Sequence, residues 1–279
     1  VKTVAAAARH GKVGVWRGAA ILSLCLMGEA APAHAERPIP PDITILCDES
    51  LRRPLLDVAG LWRERTGVPV HIIASPTPLV LQQITHHIRS DFVVAQGDVA
   101  DAAAGRWRGT KPETAFGGWR NRLVLVAAGP AQSPPLSPEN AAALIESGGI
   151  AIIDVPGVDV PVIDSIGATA AANSKKALET AGLWEVAQQH AIGVAGAADA
   201  VFLVEGQKAR LAVVYATDIA GDPALSIVAP FPVDSYAPVT YWVAQTTTVR
   251  STRADAFEAF LRQPEAQQQL RADGLEITP

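Results

Sequence analysis

ITILCDESLRRPLLDVAGLWRERTGVPVHIIASPTP (residues 43–78) reads as strand, helix, strand, and that alternation decides the fold class. ITIL (Ile43–Leu46) is a short apolar strand. Leu55, Val58, Ala59 and Trp62 then recur at i, i+3, i+4 and i+7, the core stripe of a helix. Gly67 suits the position just past a helix end, where a left-handed backbone is wanted. VPVHIIA (Val68–Ala74) is a second strand. The first strand runs into Asp48-Glu49-Ser50 and the second into Ser75-Pro76-Thr77. In open α/β sheets, ligands collect at the carboxyl ends of strands, so both stops are candidate ligand loops.

The pattern continues outward. A helix over Leu79–Ile88 and the strand DFVVA (Asp91–Ala95) complete a β-α-β-α-β unit with short connections, which favours a parallel sheet. NRLVLVAAG (Asn121–Gly129) begins a second block. In it, Ser137 is an N-cap and Pro138 the first residue of a helix that ends at Gly148-Gly149. The strand IAIIDV (Ile150–Val155), the helix NSKKALETAGLW (Asn173–Trp184), the helix ADAVFLVEGQ (Ala198–Gln207) and the strand RLAVVYA (Arg210–Ala216) follow. LSIVAPF and PVTYWVAQT are further strands, and two helices separated near Pro264 close the chain. The expected architecture is α/β, with two lobes built on mostly parallel sheets and a hinge between them. Residues 36–120 and 230–279 are assigned to the first lobe and 121–229 to the second. Such a two-lobed chain suggests a solute-binding protein that closes on its ligand.

Residues 1–35 differ from the rest. Lys2, Arg9, Lys12 and Arg17 precede the apolar run GAAILSLCLMG (Gly18–Gly28), and AHA (Ala33–Ala35) is a small-x-small cleavage site. The segment reads as a signal peptide cut after Ala35, which directs the chain to the periplasm. Cleavage takes the basic residues from 23 to 19 and the acidic ones from 28 to 27, for a net charge of about −8. Cys47 is then the lone cysteine, best buried in an oxidising compartment. No later segment reaches 18 consecutive apolar residues, so no membrane-spanning helix is expected. An acidic chain without basic runs argues against nucleic acid as a partner.

The sequence carries no phosphate-binding glycine loop, nucleophile elbow, zinc-binding helix motif or Cys-x-x-Cys pair. His86 and His87 are adjacent on a helix and point in different directions, a poor arrangement for one metal ion. Asp48 and Glu49 are adjacent on a strand end and converge on one substrate only where the chain bends. Hydroxyl side chains at strand ends (Ser50, Ser75, Thr77, Thr217) and Tyr215 are the other polar features. A serine there can cap a helix, and a capped helix start is also an anion site.

RLAVVYATD (Arg210–Asp218) and IVAPFPVDSYAPVTYWVA (Ile227–Ala244), with NRLVLVA and FLRQPEAQQQLRADG, resemble the molybdate-binding periplasmic proteins of ABC importers. The resemblance covers residues 42–275 and implies a type II periplasmic-binding fold, two α/β lobes around a cleft. It implies a molybdate or tungstate ligand held without counter-charges or cofactor, and a permease and an ATPase in the membrane as partners of a monomer. The binding residues it implies are Ser50, Thr77 with Ser75 as rival, Tyr215, and amides at Ala170 and Ala197. Departures lie in the loops: Asp48-Glu49 replace small residues, and Pro76 and Pro78 each remove an N–H donor. Pro54 suggests a regular helix starting there as its first residue. A dianion would repel a facing carboxylate by several kcal/mol in a dry site. Oxyanion binding therefore predicts that Asp48 and Glu49 turn away or pair with Arg52 or Arg53. If they face the cleft instead, a cation or amine-bearing solute is the alternative. A secreted enzyme using Asp48 or Glu49 as a base is a third reading, which needs a second titratable group across the cleft.

Overall fold

The computed structural model describes residues 42–130, 135–153, 170–249 and 251–277. The expected signal peptide therefore lies outside the described residues. The described chain belongs to one compact unit, Pro40–Pro279. It is built on two sheets. The first contains β1 (Ile43–Asp48), β2 (Val70–Ser75), β3 (Phe92–Gln96), β4 (Phe116–Asn121), β10 (Val239–Gln245) and β11 (Glu276–Ile277), in the order β11-β4-β10-β3-β1-β2. The second contains β5 (Leu123–Ala128), β6 (Ile150–Ile153), β7 (Ala191–Val194), β8 (Leu211–Tyr215) and β9 (Leu225–Pro230), in the order β7-β6-β8-β5-β9. Parallel pairing is confined to β2-β1-β3 and β7-β6-β8, the strands joined through helices. The remaining pairs are antiparallel, so the sheets are mixed rather than mostly parallel.

The chain passes from the first sheet to the second between Asn121 and Leu123 and returns after Pro230. Alternating charge and apolar spacing set the helices. Helix α1 (Arg52–Thr66) and the closing helices α8 (Ala254–Leu261) and α9 (Pro264–Ala272) cover one face of the first sheet. There Trp62 meets Phe257 edge-on, with ring centroids 5.3 Å apart, and Phe92 lies 5.5 Å on the other side. Helices α2 (Thr77–Thr85) and α3 (Val99–Ala103) cover the opposite face around Leu46, Val80, Leu81 and Trp242. In the second lobe, α4 (Pro138–Gly148), α5 (Ala170–Thr180) and α6 (Trp184–His190) pack on one face, and α7 (Ala197–Glu205) on the other. Ser137 caps α4 as expected, accepting from Asn140 N at 3.3 Å.

Several local expectations are corrected. The first helix does not start at Pro54. A 3-10 turn over Glu49–Leu51 leads into α1 at Arg52, and Pro54 lies in the first helical turn, where its missing N–H costs little. For the same reason α2 begins at Thr77, two residues before the expected start, with Pro78 in its first turn. The single helix expected over Asn173–Trp184 is two, α5 and α6, separated at Gly182 with φ of 69°. Strands β4 and β7 were not legible. A Cβ on Gly117 of β4 would lie 2.9 Å from the Val99 Cβ, so close packing of α3 needs a residue with no strand propensity.

Phe257 is fully buried between Trp62 and Phe92. Phe257→Ala is expected to lower unfolding stability by about 3–5 kcal/mol, read as a lower urea midpoint. A change below about 1 kcal/mol would mean the closing helices do not carry the first lobe's core.

Candidate functional site

The site begins with the last residue of β1. Asp48 lies beside Ser75 in the register with β2, and its backbone turns at φ −57°, ψ 141° into the 3-10 turn. That bend separates the two acidic side chains. Asp48 is buried, whereas Glu49 keeps a large exposed surface.

Asp48 meets no arginine among the described residues, and its carboxylate is taken up by protein hydroxyls. Its Oδ1 accepts from Ser50 N at 3.2 Å and from Ser50 Oγ at 2.6 Å, and its Oδ2 accepts from Thr77 Oγ1 at 2.5 Å. The cap of this turn is therefore Asp48 and not Ser50. Arg53 instead pairs with Asp57 one helical turn on, at 2.9 Å. No ion pair of Arg52 with either carboxylate is found among the described residues.

The hydrogen bonds can be given a direction. Thr77 Oγ1 accepts from Gln96 N at 3.0 Å and donates to Asp48. Ser50 Oγ donates to Asp48, so it accepts from the Tyr241 hydroxyl, 2.6 Å away. Asn121 Nδ2 in turn reaches Tyr241 Oη at 3.4 Å and donates to Thr217 Oγ1 at 2.8 Å. The donors of the first lobe thus run toward Asp48, which ends the chain as a pure acceptor. Three of its roughly four lone-pair positions are used. One on Oδ2 is left.

Of the expected binding residues, Ser50 and Thr77 meet at this carboxylate. Ser75 is partly buried at the end of β2, with no hydrogen bond of its side chain found among the described residues. Tyr215, at the end of β8, is buried, and its hydroxyl has no hydrogen-bond partner among the described residues. Asn173 approaches it and pulls its phenol back down in part, but the one Asn173 donor bond of normal geometry among the described residues goes to the Ala237 carbonyl at 3.3 Å, with its oxygen accepting from Ala237 N at 3.2 Å. Burial pushes the Tyr215 phenol up, and the Asp48 charge adds to the shift. The same two effects, with Tyr215 itself, raise Tyr241. Ala170 and Ala197 are the first residues of α5 and α7. Helix α7 has no side-chain cap on Gly196, which leaves its first amides unclaimed by any side chain there.

Sequence reasoning missed Tyr241, Asn121 and Asp218. Asp218 accepts from Tyr215 N at 2.8 Å and so holds the end of β8 in place. Glu49 crosses to the second lobe: a Cβ on Gly196 would lie 3.9 and 4.0 Å from its carboxylate oxygens. Protein packed around Glu49, and then the Asp48 charge, push its carboxyl up despite the exposed surface. Asp218 is partly exposed by area but densely surrounded. Desolvation pushes it up to about 8, the Tyr215 amide pulls it down, and Asp48 and Glu49 raise it further. Among the described residues, no group of three or more His, Cys, Asp or Glu side chains is arranged to hold a metal ion. Asp48, Glu49 and Asp218 make the neighbourhood acidic without converging on one ion.

A carboxyl that holds its proton more tightly folded than unfolded makes folding less favourable as pH rises. Asp218 therefore lowers stability between about pH 4 and pH 8, the interval from its ordinary value to its raised one. Urea midpoints are expected to fall over that range, and Asp218→Asn, which keeps the acceptor for Tyr215 N, flattens the fall. An unchanged slope in the variant would refute the assignment.

Comparison with known proteins gives a consistent result. The family model described as bacterial extracellular solute-binding protein matches residues 43–276. The molybdate-binding protein ModA of Escherichia coli (strain K12) is 25% identical over 271 residues, spanning 95% of this chain and 98% of that protein. The periplasmic molybdate-binding protein of Azotobacter vinelandii superposes with a TM-score of 0.67 at 19% identity, covering 85% of this chain and 100% of that one. A putative phosphate ABC transporter substrate-binding protein from Clostridium perfringens, with bound phosphate, gives a TM-score of 0.56 at 11% identity, covering 86% and 100%. No described helix is long and apolar enough to cross a membrane. With two α/β lobes and a family match spanning both, the chain belongs to the bacterial extracellular solute-binding protein family.

Proposed function

We propose that this chain captures a small tetrahedral oxyanion, molybdate or tungstate, in the periplasm and delivers it to the permease and ATPase of an ABC importer. The lobes close by a hinge at the two crossings, around Arg122 and Phe231. The observation that carries this reading is the Tyr215 hydroxyl, buried and without a partner among the described residues. A buried donor left unmade costs about 1–3 kcal/mol, so its persistence supports a ligand acceptor opposite it. The unclaimed amides at the start of α7 supply the same kind of donor, with the helix dipole behind them. These groups bind an anion without a counter-ion, as charge-assisted hydrogen bonds do. Similarity to two molybdate-binding proteins supports the choice of ligand.

A second reading has its own observation. Asp48 faces inward as an acceptor, with Glu49 and Asp218 close enough to act on the same groups. A cation or amine-bearing solute would be attracted there. We propose no catalytic role. The lone pairs of Asp48 are mostly engaged, which leaves it badly placed to take a substrate proton, and the family consists of solute-binding proteins.

Titration calorimetry of the chain with molybdate, tungstate and a panel of amines separates the readings. Molybdate binding at micromolar affinity or tighter is expected. Tyr215→Phe should weaken it about 10- to 100-fold, the range for one hydrogen bond to a charged group. Heat from an amine alone would establish the second reading instead.

A further inference from the structure

In the first lobe, Ser50, Thr77 and Tyr241 would ordinarily be offered to an oxyanion as donors. Here their protons are directed at Asp48: Ser50 Oγ and Thr77 Oγ1 donate to it, and Tyr241 donates to Ser50. The lobe's network therefore ends in an acceptor with one lone-pair position unfilled. The second lobe shows donors, the Tyr215 hydroxyl and the first amides of α7. A ligand that satisfies both sides has anionic oxygens toward the second lobe and a proton toward Asp48.

We infer that Asp48 is the specificity-determining residue of the cleft. A tetrahedral oxyanion is held there with one proton between a ligand oxygen and Asp48 Oδ2, either brought by the ligand or taken from solvent on binding. The inference rests on the oxyanion reading above. Two oxygens that both carry only lone pairs repel at contact distance, and a single proton turns that contact into a hydrogen bond. The free lone pair on Oδ2 is the position for it, since Oδ1 accepts twice and Oδ2 once. The consequence is discrimination by protonation. Hydrogen-bearing anions such as inorganic phosphate enter with their own proton, whereas molybdate and tungstate must recruit one.

The charged and titratable groups around Asp48 are Cys47, Glu49 and Arg52 on its own stretch, Tyr241 on β10, and Tyr215 and Asp218 at the end of β8. Asp199 lies in the first turn of α7. Neighbouring α2 and β3 contribute the uncharged Thr77 and Gln96. Arg52 is the cation beside this cluster, and among the described residues it forms no ion pair with Asp48, so no fixed positive charge there replaces the proton.

The test is titration calorimetry of the wild-type chain and Asp48→Asn, with sodium molybdate and inorganic phosphate, from pH 6 to 8.5. Two buffers of different ionisation enthalpy count the protons. The wild type should take up about one proton per molybdate, with Kd rising up to about tenfold per pH unit. Phosphate should take up fewer where it carries its own. Asp48→Asn should bind molybdate more tightly at high pH and lose the slope, while Glu49→Gln and Asp218→Asn keep it. Molybdate binding by the wild type with no proton uptake and a flat Kd overturns the inference, whatever the folding of the variants. So does a slope that survives in Asp48→Asn or vanishes in Glu49→Gln or Asp218→Asn. Absence of binding of either anion by wild type and Asp48→Asn at every pH sinks the oxyanion reading itself, and this inference with it.

Discussion

The carboxylate of Asp48 organises the first lobe's half of the cleft. It collects Ser50 N, Ser50 Oγ and Thr77 Oγ1 at the point where β1 gives way to a 3-10 turn. Without it, the Ser50 and Thr77 hydroxyls would lose the acceptor toward which both donate, and the turn would lose its cap. Hydrogen bonds to a charged acceptor contribute about 1.5–3 kcal/mol each, more than neutral ones. The loops from β1 and β2 are therefore locked to each other by a protein group before any ligand arrives. The two 3-10 and helical starts that follow can then tolerate Pro54 and Pro78, because the first-turn amides that proline removes have no partner within the helix.

Much of this architecture was legible. The β-α-β reading of residues 43–78 follows from the period of apolar residues, and the two strand-to-helix stops meet through Asp48, Ser50 and Thr77. Ser50, Thr77 and Tyr215 were legible because a hydroxyl at a strand's carboxyl end is a local pattern. Asn121 and Tyr241 were not. They meet only because β10 returns from the far end of the chain to lie between β3 and β4, a register fact that no local window contains. β4 escaped notice for a related reason. Its Phe-Gly-Gly-Trp-Arg-Asn sequence has poor strand propensity, and close packing of α3 overrides that. The direction of the Asp48 side chain was also beyond sequence. Alternation puts Asp48 and Glu49 on opposite faces of a strand, but the backbone turns between them, so one goes inward and the other reaches the second lobe.

The chemistry of the cleft is best understood as a division of labour between the lobes. The first supplies a saturated network with a single remaining acceptor position. The second supplies donors with little competition, the Tyr215 hydroxyl and a helix start without a side-chain cap. Around both, burial and mutual repulsion raise Glu49 and Asp218, and Asp218, pushed to about 8, carries less negative charge near neutrality. An acidic protein can in this way keep such a site less hostile to an anion than its count of carboxylates suggests.

Asn121 occupies an unusual place in this arrangement. It is the last residue of β4, immediately before the chain leaves for the second sheet, and its side-chain amide donates to Thr217 on the far lobe while reaching Tyr241 on its own. The residue after it is also tied across: the Arg122 carbonyl accepts from Ala216 N at 3.0 Å. The pivot and the ligand-facing network therefore share an atom group. In the proposed closure, rotation of one lobe against the other would move the same amide that reaches, through Tyr241, the Ser50 hydroxyl donating to Asp48. Such a joint would work as a mechanical linkage in which the angle between the lobes and the proton arrangement around Asp48 are set together.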